Sequence, residues 1–217
     1  FDVFGLDLSE LSSLLDLPND YSGRFTGWGT IATPFTNLNI SADANIEQLQ
    51  IDEQTVGDIM LHSDWNDARQ SIALDGTLQY RNERTFAFDG RYQFKNDELD
   101  LGLNFKQTDI SFANAFLDPD VVKGIKGKLD GRLKLNGSPS HPELTGRLQL
   151  QNGGAEISIL GVNYQIEGQI QVTEDAFFID NAPIRDPEGN LAYLSSAVNH
   201  QNFDQWALDI DILTPNL

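Results

Sequence analysis

A chain of 217 residues with 40% hydrophobic and 10% aromatic content can bury a sizeable core and is no disordered tail. Its net charge of −19 excludes a nucleic-acid phosphate binder, which needs a basic surface, and its lack of cysteine excludes disulfides, zinc–thiolate sites and thiol nucleophiles. No apolar run is long enough to span a bilayer, and neither a basic segment nor an h-region follows Phe1, so a processed or excised part of a longer protein is expected, with any membrane anchor outside it.

The opening stretch reads as a short strand and then a helical segment at about 9–17, where Leu8, Leu11, Leu14 and Leu15 share a face, Asp7 or Ser9 caps and Pro18 stops. Strand signal follows. Phe25, Gly27, Gly29 and Ile31 alternate with polar residues, the pattern breaks at Thr33 and Pro34, and it resumes on Leu38, Ile40, Ala42, Ala44 and Ile46. A slip of phase near Gln48, as a bulge makes, brings Leu49 and Ile51 into register. Between Val56 and Leu61 the pattern blurs. Ile72 to Tyr80, Phe86 to Phe94 and Leu99 to Phe105 are clear strands, separated by turns at Asn82 and at Asn96 with Asp97.

A second helical segment is expected at about 111–117, ended by Asp118 and Pro119. Two arms follow, Ile125 to Leu135 and Leu144 to Leu150, joined by a loop carrying Asn136, Gly137, Pro139 and Pro142: a hairpin apolar on one face only. Val162 to Val172 shows the cleanest two-residue period, Phe177 and Ile179 begin another strand, and residues 181–190 read as a turn region before a final strand. This order of elements occurs twice, with Gly23 matched to Gly127 and Pro34 to Pro142, so the chain is expected to be two tandem repeats, 1–98 and 99–205, with 206–217 beginning a third.

Nothing in the chain carries catalytic spacing. His62, His141 and His200 are scattered, and Asp118, Asp120, Asp209 and Asp211 follow no calcium-loop pattern. The sequons at Asn39 and Asn136 imply nothing without a secretory context. No nucleophile elbow, phosphate loop or dinucleotide fingerprint is present, so no enzyme activity, metal or cofactor is expected. The apolar face is the signal. Its rows carry Gly27, Gly76, Gly90, Gly127, Gly131, Gly146 and Gly168, and glycine in a strand costs ~0.5–1 kcal/mol relative to alanine. Glycines so placed either bend the sheet or leave room on its inner face.

Taken in order, GKLDGRLKLNGSPSHPELTGRLQLQNGG, GVNYQIEGQIQV, FFIDNAPIRDPEGN and WALDIDI resemble the TamB family, the inner-membrane subunit of the translocation and assembly module, and its AsmA-like relatives. The first copy departs from the pattern, with Trp28 and Gly29 where the second has Arg132 and Leu133. The resemblance implies an all-β fold: a long antiparallel sheet curled lengthwise into a U-shaped β-taco with an apolar interior. It implies a location in the periplasm of a Gram-negative bacterium, in a protein anchored in the inner membrane. It further implies that phospholipid acyl chains pass between the two membranes, and that an Omp85-type outer-membrane partner takes part in assembling outer-membrane proteins. The lining would then be Leu74, Leu78, Phe86, Phe88, Phe94, Leu101, Leu103, Leu129, Leu133, Leu135, Leu148, Leu150, Tyr164, Ile166 and Ile170, with the seven glycines on the same face. The alternatives are an adhesin-like repeat that binds protein or carbohydrate through its polar face, and a β-solenoid enzyme acting on polysaccharide. Strand edges exposed at the ends of such an array would favour dimerisation.

Overall fold

Alternating side chains point to opposite faces of a strand, so a chain patterned in this way can shelter one face and leave the other in water. The computed structural model describes residues 2–10, 20–32, 39–51, 54–66, 69–80, 83–111, 114, 119–120, 122–158, 161–202 and 204–214. Among them are β1 (Asp2–Asp7), β2 (Tyr21–Ala32), β3 (Asn39–Ile51), β4 (Gln54–Asn66), β5 (Ser71–Tyr80), β6 (Glu83–Gln93) and β7 (Glu98–Asp109). The second half holds β8 (Val122–Ser138), β9 (His141–Ile157), β10 (Val162–Thr173), β11 (Ala176–Arg185), β12 (Leu191–Gln201) and β13 (Asp204–Leu213). They make one antiparallel sheet in which spatial order equals sequence order, open at β1 and β13 rather than closed into a barrel.

The sheet curls. Asn202, at the β12–β13 tip, donates from Nδ2 to the carbonyl oxygen of Ser140, at the β8–β9 tip, across 2.9 Å. Four strand spacings separate these tips, which would hold them ~19 Å apart in a flat sheet. Curling also explains how a single layer buries Leu78, Leu133, Val172 and Ile184 to 3%, 4%, 2% and 1% exposure.

The helical segments expected at about 9–17 and 111–117 are described only where they begin. Residues 8–10 form a helical turn and 110–111 with 114 are 3₁₀, while 11–19, 112–113 and 115–118 lie outside the described residues. Asp7 makes the cap: its Oδ1 accepts from the Ser9 amide at 3.0 Å and the Ser9 hydroxyl at 2.8 Å. Asp109 does the same for Ser111, at 2.9 and 2.6 Å. Each cap delivers an apolar residue to the inner face. Leu8 packs on a cluster of Leu49, Ile51, Val56 and Leu78, and Ile110 joins a cluster of Leu129, Leu133, Leu148, Leu150 and Val172.

The structure corrects three local expectations. The loop between the hairpin arms is only Pro139 and Ser140, because Asn136, Gly137 and Pro142 belong to the strands and Gly137 pairs with Pro142 at the end of the ladder. The turn region expected over 181–190 is shorter, since β11 runs on to Arg185: Asn181, at φ 48°, makes a bulge that carries Pro183 within the sheet. The blurred stretch around Val56 to Leu61 lies inside β4, a full strand of 13 residues. The phase slip at Gln48 is a β-bulge at φ 55°, where pairing steps from Ile46 to Leu49. Thr33, Pro34 and Leu38 fall outside the described residues.

Candidate functional site

Register turns the separate alternations into continuous rows. One row crosses every strand through Val3, Gly27, Ala44, Leu61, Gly76, Phe88, Leu103, Leu133, Gly146, Val172, Phe177, Val198 and Leu208. The next crosses them all through Leu6, Phe25, Ile46, Ile59, Leu78, Phe86, Phe105, Gly131, Leu148, Ile170, Ile179, Ser196 and Ile210. Neither row holds a charge, and Ser196 is the one polar residue in the pair. At ~4.8 Å per strand these rows trace a path on the order of 58 Å along the curved sheet.

A third row, above, runs through Leu74, Gly90, Leu101 and Leu135. Below the two complete rows lie Leu129, Leu150 and Gly168 in line, then Ile166 and Tyr164, with Gly127 beside Gly153 and Leu150. The expected lining residues thus share one face of the sheet, except that Phe94 sits past the end of β6 in the 94–97 turn. There its ring packs at 4.8 Å from Tyr92 and 5.9 Å from Trp65, an aromatic rim at the upper end. Residues outside the expected lining complete the face: Ala44 and Phe105, already read as part of the alternation, and Val3, Leu6, Ile59, Val198 and Leu208, where it is weaker.

Two environments divide this face. Leu78, Leu129, Leu133, Leu148 and Leu150 are buried in the clusters where the sheet curls or a capped turn covers it. Leu74, Phe86, Phe88, Leu101, Leu103, Leu135, Tyr164, Ile166 and Ile170 are half-buried, walled by their neighbours on the sheet.

The glycines leave no open room on this face. A Cβ on Gly131 would lie 2.4 Å from the Arg147 carbonyl oxygen, and one on Gly146 2.5 Å from that of Arg132, with φ of 141° and 142°. On Gly76 it would meet the Phe88 ring and the Met60 carbonyl oxygen at 2.4 Å each. Neighbouring backbone and folded-over side chains occupy the volume, an arrangement that lets strands coil tightly.

Two hydroxyls on this face bond to backbone carbonyls. Thr108, fully buried, donates its hydroxyl to the Thr85 carbonyl oxygen, and Ser63 donates to that of Ala42 at 3.1 Å. His200, 4% exposed, lies with its ring 5.5 Å from Phe177, and burial pushes its pKa below the ordinary 6.5, so it is neutral at pH 7.

The opposite face carries the charge. Asp100 accepts from Arg91 at 2.6 Å and from Lys134 at 3.2 Å, and Lys123 reaches Glu156 at 3.0 Å. His62 lies between Asp43, 2.8 Å from Nδ1, and Asp64, 2.9 Å from Nε2; hydrogen bonds to Asp43 first and Asp64 second raise its pKa. Both nitrogens can donate only in the imidazolium form. The helical spacing sought in the sequence could not reveal this trio, but Asp64 stands two residues along the same strand face, and pairing sets Asp43 opposite. Among the described residues no cluster has the geometry to hold a metal ion, and no helix is long and apolar enough to cross a membrane.

A protein-family model described as the TamB C-terminal domain matches residues 4–184. No curated protein and no solved structure matches the chain.

Proposed function

Because this chain belongs to the TamB family, we propose that its apolar face conducts phospholipid acyl chains between the inner and outer membranes. The family works in the translocation and assembly module and is linked to envelope protein or lipid transport. The observation that carries the finer reading is the pair of uncharged rows crossing all thirteen described strands. Each methylene moved from water onto such a surface gains ~0.8 kcal/mol. The gain is nearly the same at every strand, so an acyl chain meets no deep well and slides. Headgroups stay outside, at the lips of the curled sheet.

On this reading the half-buried residues Phe88, Leu101, Leu103 and Ile170 contact lipid, and the buried Leu133 and Leu148 hold the curl. The work is non-catalytic and takes place in the periplasm, with an Omp85-type protein at the outer membrane. Two tandem repeats build the path. That organisation is supported by the Asp7–Ser9 and Asp109–Ser111 caps and by bulges at Gln48 and Asn152, each pair roughly a hundred residues apart.

The test is mass spectrometry of lipids co-extracted with the chain under gentle conditions. Phospholipid is expected with the wild type and lost in Phe88→Asp; absence of phospholipid from the folded wild type would remove the reading.

A further inference from the structure

Large apolar side chains stand on the charged face as well. Trp28 projects there, between Gly27 and Gly29 of the apolar rows, and so does Met60, between Ile59 and Leu61. They are 53% and 44% exposed. Met60 lines a depression of ≈480 Å³ together with Asp43, His62, Asp75, Thr77, Ala87 and Asp89. Trp28 is paired directly with Asp43.

Carboxylates outnumber cations around it. Asp75 stands in the ladder between Asp89 on one side and His62 on the other, and Asp89 accepts from the neutral Asn104 amide at 3.1 Å. His62 is already committed to Asp43 and Asp64. Residues 21–93, which span β2 to β6, hold ten carboxylates against five arginines, Arg24, Arg69, Arg81, Arg84 and Arg91. Like charges facing each other across a ladder destabilise it, and a tryptophan and a methionine held in water gain nothing for the fold. Asp75 and Asp89 also line a second depression of ≈490 Å³, which holds Arg69 and Arg91 as well, so the pair stands between a hollow with two arginines and the acidic hollow of Met60.

We infer that the charged face over β2 to β6 docks a basic polypeptide segment carrying an apolar anchor, with its cationic side chains on the Asp75–Asp89 pair and its anchor against Trp28 and Met60. Charge complementarity selects the occupant: nucleic acid and anionic lipid are repelled here, whereas arginine or lysine relieves the opposed carboxylates and fits the aromatic and thioether contacts enriched at protein interfaces. The surface lies on the side away from the apolar rows, so it operates whether or not those rows carry lipid.

Met60 is the single methionine of the chain, so its labelled methyl signal needs no assignment. The full chain is titrated at physiological salt with a short synthetic peptide alternating arginine and leucine, while the Met60 methyl and Trp28 indole signals are followed by NMR. Both shift and saturate together, and Asp75→Asn with Asp89→Asn weakens binding about tenfold while melting no lower than wild type, since the repulsion is gone. A glutamate–leucine peptide leaves both signals unmoved. No saturable shift, equal affinity for the Asn variant, equal binding of the glutamate peptide, or shifts confined to β13 or to the apolar rows would each overturn the inference.

Discussion

Gly131 and Gly146 are reciprocal partners across the β8–β9 ladder: Gly131 faces Leu148, Gly146 faces Leu133, and the Arg132–Arg147 pair lies between them. Each glycine's missing Cβ is replaced by the Cδ2 of the leucine opposite, 3.2 Å away at Gly131 and 3.0 Å at Gly146. The hairpin can therefore coil without opening a void.

Gly131→Ala and Gly146→Ala are each expected to cost about 1–3 kcal/mol, because a Cβ strikes a carbonyl oxygen at a backbone angle that side chains avoid. Gly102→Ala on the charged face, where the Cβ would meet Asp89 no closer than 3.7 Å, is expected to be neutral or slightly stabilising. Urea unfolding of the three variants checks the contrast.

Leu133→Asp and Phe88→Asp occupy the same row but should part company. Leu133 is buried in a packed cluster, so its aspartate should cost at least ~3 kcal/mol and collapse the fold. Phe88 is half-buried, and its aspartate can reach water. Circular dichroism should show Phe88→Asp folded, and lipid co-extraction should show it empty.

The two histidines respond to pH in opposite senses. His62 has a raised pKa, so its bridge to Asp43 and Asp64 stabilises the protein fully below pH 6.5 and is lost as pH rises through the raised value. His200 is buried and its pKa is lowered, so its contribution is present above pH 6.5 and is lost as pH falls toward the lowered value. Melting of His62→Gln against wild type should differ at pH 5.5 and converge in alkali. His200→Gln should remove part of the acid sensitivity. Titration of the two ring signals by NMR gives the pKa order directly.

β13 leaves a sheet edge with Leu208, Ile210 and Leu213 at 37%, 41% and 66% exposure. Such an edge pairs with other strands unless it is blunted by charge. The isolated chain should self-associate with concentration in analytical ultracentrifugation, and Leu208→Lys with Ile210→Lys should return it to monomer.

Much of this fold was legible in the sequence because an inner apolar side chain every second residue leaves a direct trace, as in Val162 to Val172. What stayed hidden lies between strands. The start of β4 reads as blurred because its pairing slips at Val56, between Gly57 and Thr55, and because Met60 stands on the charged face between Ile59 and Leu61. β12 went unread because Ala and Ser occupy both of its faces. The proline signals misled: Pro142 and Pro183 sit at a ladder end and beside a bulge, where a missing N–H costs little. The continuous rows were the least legible feature. They depend on which residues pair between strands, and alternation within one strand carries no register; bulges at Gln48, Gln107 and Asn152 lie just below them and reset the phase for the pairs beneath.

The central claim, that acyl chains travel along the two uncharged rows, is tested most directly by placing a photo-crosslinking side chain at Phe88 and Leu103 and, as outward controls, at Ala87 and Asn104. After irradiation in cells, mass spectrometry should find phospholipid adducts at the first two positions and none at the controls. Adducts in equal measure on both faces, or none at Phe88 and Leu103, would contradict it.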